Sequence, residues 1–147
     1  MDMTWVTDRI AVGGGIWVVQ KMQEVAQAGV THVIDMQIEF DDTYLGKIVG
    51  VEVLWNPVDD DFEPKHPVIF ERGVHFALRA LEKPGTKLFV HCAAGVHRAP
   101  MMAQRRPDPA LGDLHCVLYD CLIPWLSWPR RHNSETAMQG EIVISRI

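Results

Sequence analysis

The sequence is poor in cysteine: Cys92, Cys116 and Cys121 are all it has in 147 residues, an odd number with no Cys-x-x-Cys pair. That count does not suit a disulfide scaffold, and reduced thiols in a reducing, cytoplasmic setting are the expectation. Long apolar runs are missing too. The best candidate, residues 10–19, is short and split by Gly13, Gly14 and Gly15, well under the roughly 20 residues of a membrane-spanning helix. The opening Met1-Asp2-Met3-Thr4 has none of the basic residues that begin a secretory signal. Basic charge is in deficit, with 14 Lys and Arg against 19 Asp and Glu and a net charge of −5. Acid crowds into residues 35–42 and 59–63, which turns the reading away from nucleic acid as a partner. A soluble protein with neither a membrane nor a nucleic-acid partner is expected, and nothing in the chain sets an oligomeric state. Any dianionic ligand must be drawn in by local features.

What is present is ordinary globular composition: 48% hydrophobic and 22% charged residues argue against wholesale disorder. At this length one domain, residues 1–147, can bury a core without staples. Residues 4–6 and 10–12 read as short strands about an Asp8-Arg9 turn. Over residues 17–28, Val18, Met22, Val25 and Ala26 recur at helical spacing, with Gly29 placed as a left-handed cap. Residues 31–36 and 51–55 are β-branched runs suited to buried strands. Phe70, Val74, Ala77, Leu78 and Leu81 predict a helix after Pro67 that stops at Pro84-Gly85, and residues 87–91 make a further strand. The alternation predicts an α/β fold, a central, mostly parallel twisted sheet flanked by helices. In such sheets ligands collect at the carboxyl ends of strands, so the segment after His91 carries most interest.

That segment, His91-Cys92-Ala93-Ala94-Gly95-Val96-His97-Arg98, sets a cysteine and an arginine at either end of a loop of small residues. Pro100 suits the first turn of a following helix. A cysteine near a helix N-terminus and an arginine can have its pKa brought from ~8.5 to roughly 3.5–7.5, giving a thiolate nucleophile. Amide hydrogens of Ala93, Ala94, Gly95, Val96, His97 and Arg98 curled above the sulfur would form an anion nest. Gly95 allows the positive φ this curl needs, and Arg98 can hold two phosphate oxygens with its planar fork. The plainer alternative for Cys92 is a small buried hydrophobe at a strand end.

The string HCAAGVHRA resembles the signature of the protein-tyrosine phosphatase superfamily, a His-Cys followed by five residues and an arginine, and looks most like its dual-specificity branch. Residues 5–14, 28–35 and 56–60 are similar to that branch in matching order, so the resemblance covers about residues 4–103. It implies a protein-tyrosine-phosphatase-like fold, a phosphocysteine intermediate at Cys92, a loop-orienting role for His91, and neither metal nor cofactor. A phosphorylated protein or small phosphate monoester is the substrate it implies, with the loop's lack of lysine disfavouring inositol head groups. The family's general acid falls in the turn holding Asp59, Asp60 and Asp61: alignment on Pro57 selects Asp60, alignment on the Asp61-Phe62 pair selects Asp61.

Two features depart from the family. Ala99 stands where a serine or threonine usually helps the thiolate leave, so slower turnover is expected. Pro107 and Pro109 interrupt the helix after the loop, and residues 104–147 form a divergent helical tail. There, Leu114, Val117, Leu118, Cys121, Leu122 and Trp125 predict a helix capped by Asp113 and ending by Pro124; Cys116 or Cys121 could resolve an oxidised Cys92. A phosphate-binding pseudophosphatase is the second functional reading, and thiol chemistry of the arsenate-reductase or sulfurtransferase kind a third.

Overall fold

A computed structural model describes residues 1–103. The helix expected after Asp113, Cys116, Cys121 and the tail's departures lie outside the described residues.

Five strands make one sheet. β1 (Met3–Trp5) and β2 (Ile10–Gly13) form a hairpin, and helix α1 (Val19–Gln27) leads to β3 (His32–Asp35). Helix α2 (Thr43–Val49) leads to β4 (Glu52–Trp55), helix α3 (Pro67–Leu81) to β5 (Leu88–His91), and helix α4 (Arg98–Ala103) follows. The strand order is β1-β2-β5-β3-β4. Only the β1–β2 pairing is antiparallel, because a short turn joins those two strands while helical crossovers join the others.

β5 sits at the centre of the sheet, and its four residues are all buried. Alternation sorts them: Leu88 and Val90 join Ile10, Ile34, Val74, Ala77 and Met102 under α3 and α4, while Phe89 joins Met22, Val25, Val33 and Val51 under α1 and α2. Each Leu, Val or Phe so covered contributes roughly 1.5–3 kcal/mol, and the two layers grip β5 from both faces. His91 is the last residue of β5 and Cys92 belongs to the first of these layers, so both are held as firmly as the strand itself.

Local chemistry ends helix α3. His66 caps α3 by accepting the Val68 amide at 3.2 Å, and Pro67 takes the first helical position, where no intrahelical donor is needed. At its other end, Arg9 donates to the carbonyls of Leu81 (3.1 Å), Lys83 (2.8 Å) and Thr86 (2.9 Å). A cation satisfying late helix carbonyls ties the β-hairpin to the start of β5.

Helix α2 lies in a stretch that the sequence reading left without an element. Of its residues only Gly46 is fully buried, and Leu45 and Val49, one turn apart, are partly buried against the core around Met22, Val25 and Val51, a stripe of two residues that is too short to stand out in the sequence. A Cβ at Gly46 would lie 2.3 Å from Val53 Cγ2 and 2.7 Å from the Val51 carbonyl. The helix packs by bringing bare backbone onto the edge strand, a mode hydrophobic periodicity does not register.

Candidate active site

The loop after β5 closes against the end of β2. Gly95 has φ +74°, and a Cβ there would stand 2.6 Å from the Gly13 carbonyl carbon and 2.7 Å from the Gly14 nitrogen. Both the left-handed turn and the close approach require glycine. The Gly13-Gly14-Gly15 segment, with no assigned purpose in the sequence, forms the opposing wall: Gly15 donates its amide to the Ala93 carbonyl (3.1 Å) and Cys92 donates to Gly13 (3.4 Å). Among the described residues no acceptor takes the amide hydrogens of Ala93, Ala94, Gly95, Val96 or His97. Such a run of unmatched donors on a tight turn is what an anion-binding nest, a cup of amides, requires.

Cys92 is 1% exposed and belongs to the same core cluster as Val90, Ala99 and Met102. Ala99, in the first turn of α4, is fully buried and offers no hydroxyl. Arg98 is also 1% exposed, and how its five N–H donors are spent decides what it can do. Nη1 and Nη2 each donate at 2.8 Å to the carboxylate of Glu39, end-on, and Nη1 also donates to the Val58 carbonyl at 3.2 Å. Nε has no hydrogen-bond partner. Two donors remain, Nε–H and one hydrogen of Nη2, and together they form the side-on edge of the guanidinium. The fork is thus shared: Glu39 holds its end, and its side remains available for a planar pair of oxygens.

Glu39 carried no sequence signal. It reaches Arg98 because its loop is tied down: Trp55 Nε1 donates to the Gln37 carbonyl (2.9 Å), the Gln37 amide to Asp35 Oδ1 (2.9 Å), and the Gln37 side chain to the Phe40 carbonyl (3.0 Å). Hydrogen bonds from Arg98 hold the Glu39 carboxyl below its usual range. In return, those bonds lift the Arg98 guanidinium above the usual arginine value against the cost of burial, with the charges of Glu39, Asp60 and Cys92 adding to the effect.

The three neighbouring aspartates go different ways. Asp60 places Oδ1 2.5 Å from His97 Nδ1 and Oδ2 3.5 Å from Arg98 Nε, on the open edge of the guanidinium. Asp61 instead pairs with Lys65 and accepts the Glu63 amide at 3.0 Å. Asp59 is exposed, and no contact joins it to the loop. Only Asp60 meets both His97 and Arg98.

Beneath the cup lies a second acidic group that the sequence reading recorded only as crowded charge. His91 Nε2 is 2.9 Å from Asp42 Oδ2 and 3.7 Å from Asp35 Oδ1, and all three side chains are fully buried. The carboxylate accepts, so the imidazole hydrogen sits on Nε2. Burial pushes the Asp35 carboxyl up to about 9, and the negative charge of Asp42 beside it adds to the rise. Asp35 is therefore held protonated beside Asp42, as two buried carboxylates sharing one site must be. These residues offer one ligand atom each, all within 4.8 Å of one another, a donor set able to take a cation. Of their polar atoms, His91 Nε2 meets Asp42 Oδ2, while Asp42 Oδ1 and His91 Nδ1 have no hydrogen-bond partner among the described residues.

No family model matches the sequence. Among solved structures, a mutant form of Tk-PTP superimposes with TM-score 0.62 at 17% identity, over 98% of this chain and 93% of that one. PTPMT1 in complex with PI(5)P gives 0.62 at 18% identity, over 98% and 97%. The PTP-2 phosphatase of Cydia pomonella gives 0.56 at 22% identity, over 68% and 65%. The fold is the tyrosine-phosphatase fold. It agrees with the α/β sheet expected from the alternation of strands and helices and with the family resemblance of the cysteine loop.

Proposed function

We propose that the chain is a phosphate monoester hydrolase of the protein-tyrosine and dual-specificity kind, acting through a phosphocysteine at Cys92. The observation that carries this is the juxtaposition, on one loop at the end of the central strand, of a cysteine, a cup of unmatched amides and an arginine whose two remaining donors lie side by side. A phosphate dianion would accept from the amides of residues 93–98 and from the side-on edge of Arg98. The Cys92 thiolate attacks phosphorus in line while Asp60, protonated, gives its hydrogen to the leaving oxygen. The S–P bond forms, the O–P bond breaks, the alcohol departs neutral, and Asp60 is left as a carboxylate. Asp60 then takes a proton from the water that cleaves the S–P bond, which restores the thiolate and releases phosphate. Charge that develops on the equatorial oxygens is met by dipoles already in place, so no metal is required in this reading.

The substrate class favoured is a phosphorylated protein side chain. The solved PTPMT1 complex holds a phosphoinositide; here the loop interior, Ala93, Ala94, Gly95, Val96 and His97, has no lysine to meet additional head-group phosphates. A thiolate nucleophile suits a reducing compartment, which supports a cytoplasmic place of action. The test is turnover of 4-nitrophenyl phosphate: sensitive to vanadate, absent in Cys92→Ser, and lowered by about 10²- to 10⁴-fold in Asp60→Asn. Turnover surviving in Cys92→Ser defeats the proposal, whereas vanadate binding without turnover in the native chain selects the pseudophosphatase instead.

A further inference from the structure

The cysteine loop has one side chain that phosphate binding leaves unused. Binding through amides asks nothing of the imidazole of His97, and a serine or glycine at that position would serve the cup as well. The ring is nevertheless fixed on two sides. Its Nδ1 meets Asp60 Oδ1 at 2.5 Å, and one face stacks on Phe62 with centroids 4.2 Å apart and planes 29° from parallel. Phe62 adopts φ 60°, the positive-φ non-glycine position among the described residues, a conformation that costs on the order of 1 kcal/mol. Its ring lies against His97 while the residue stays 79% exposed. A strained backbone that delivers an aromatic ring to the surface gains no core from it; what it gains is a wall for the imidazole.

We propose that His97 is a positioning residue for proton transfer: it holds Asp60 by Oδ1, which leaves Oδ2 as the oxygen that protonates the leaving group. The geometry divides the carboxyl accordingly. Oδ1 is engaged by the imidazole, and Oδ2 faces Arg98 Nε at 3.5 Å, the edge on which the phosphate would sit. A carboxyl free to rotate would present either oxygen, or neither, when the O–P bond breaks. Held by one oxygen, it presents the other. His97 lies directly before Arg98 in the chain, so cup, guanidinium and acid are registered by two consecutive residues. Misplacement of a reacting group by about 1 Å can cost on the order of 10²-fold in rate, which gives such a tether a purpose that a surface ion pair, worth ~0–1 kcal/mol to stability, would not have.

This inference rests on the phosphatase reading and is tested by leaving-group dependence. Phenyl phosphate, whose phenoxide leaves poorly, needs the acid; 2,4-dinitrophenyl phosphate does not. His97→Ala is expected to lose about tenfold or more in kcat/KM on phenyl phosphate while staying within about threefold of the native chain on the dinitrophenyl ester. His97→Asn, whose amide nitrogen can stand where Nδ1 does, recovers most of the loss. The double variant D60N/H97A is no slower than D60N alone, because a tether without its acid has nothing left to hold. Equal losses on the two esters, or additive losses in the double variant, overturn the proposal and leave the phosphatase reading intact. If the native chain turns over neither ester, that reading falls, and proton NMR decides the tether on its own: a downfield imidazole proton signal that vanishes in D60N and in H97A supports it, and a signal indifferent to D60N overturns it.

Discussion

Two aspartate–histidine pairs flank the cysteine loop, one above it and one below. Asp42 and His91 meet at 2.9 Å with neither side chain exposed; Asp60 and His97 meet at 2.5 Å with side-chain exposures of 37% and 14%. The residue types are the same, and the surroundings make them different devices. In the lower pair both side chains are shut away from water beside a second carboxyl, that of Asp35, so their geometry is locked and removing one partner leaves the other buried without its hydrogen bond. In the upper pair the carboxyl is partly open to water, as the proposed proton transfer through Asp60 requires. The proposed reaction asks for a loop rigid at its base and an acid that exchanges protons at its rim, and the same two residue types stand at both places.

The largest effect should come from breaking the lower pair. Asp42→Ala strips His91 of its acceptor and leaves Asp35 and the imidazole without the group both of them face. Loss of one partner of a buried pair typically costs about 3–5 kcal/mol, whereas Asp60→Ala, at an exposed position, should cost about 0.5 kcal/mol or less. Urea unfolding midpoints measure both. Comparable losses for the two variants would remove the distinction between them.

A pH series sharpens the same contrast. The Asp35 carboxyl, ordinarily at 3.8, is pushed up to about 9 in the fold, chiefly by burial. Between those limits the folded chain keeps a proton that the unfolded chain has released. This contribution to stability is whole below about 3.8 and is lost as pH climbs through the window towards about 9. The slope is at most about 1.4 kcal/mol per pH unit. Asp42 and His91 face the carboxyl directly. Denaturation midpoints of the native chain and Asp35→Asn at about pH 6 and about pH 8 should show the native chain losing stability over the interval and the variant losing less. Parallel curves would mean that Asp35 is ionised in the fold.

How much of this was legible from residues alone follows the range of the interactions. β5, the cysteine loop and the start of α4 are contiguous, and their signals of an apolar run, small residues and Pro100 are local, so the strand, the turn and the Cys92–Arg98 spacing could be read directly. Position 60 was open between neighbours, because a choice among Asp59, Asp60 and Asp61 depends on which backbone carbon faces the loop, a matter of a single turn's φ and ψ. Glu39, Asp35 and Asp42 left no trace of their partners. Glu39 reaches Arg98 across 59 positions of sequence and Asp42 reaches His91 across 49, and an acidic run looks the same whether it is solvated or folded under a sheet. Burial that inverts the protonation of Asp35 is a property of the packed layers. It cannot be seen in composition, which counted that residue as one unit of the net charge.

The smallest expected effect tests the rim. Phe62→Gly removes the stacking partner of His97, worth about 0.5–1.5 kcal/mol, and at the same time relieves a left-handed backbone that costs on the order of 1 kcal/mol. The two nearly cancel, so the unfolding midpoint should barely move. The imidazole loses its wall, however, and the tether on Asp60 loosens without being cut. Turnover of phenyl phosphate should then fall by a few-fold, less than in His97→Ala, with the dinitrophenyl ester unaffected. Phe62→Ala separates the two contributions, since alanine keeps the strain and loses the ring: it should match the glycine variant in rate and fall below it in stability by about 1 kcal/mol. A rate loss that follows stability across these two variants, instead of following the missing ring, would make Phe62 a part of the loop's scaffold and not of its proton geometry.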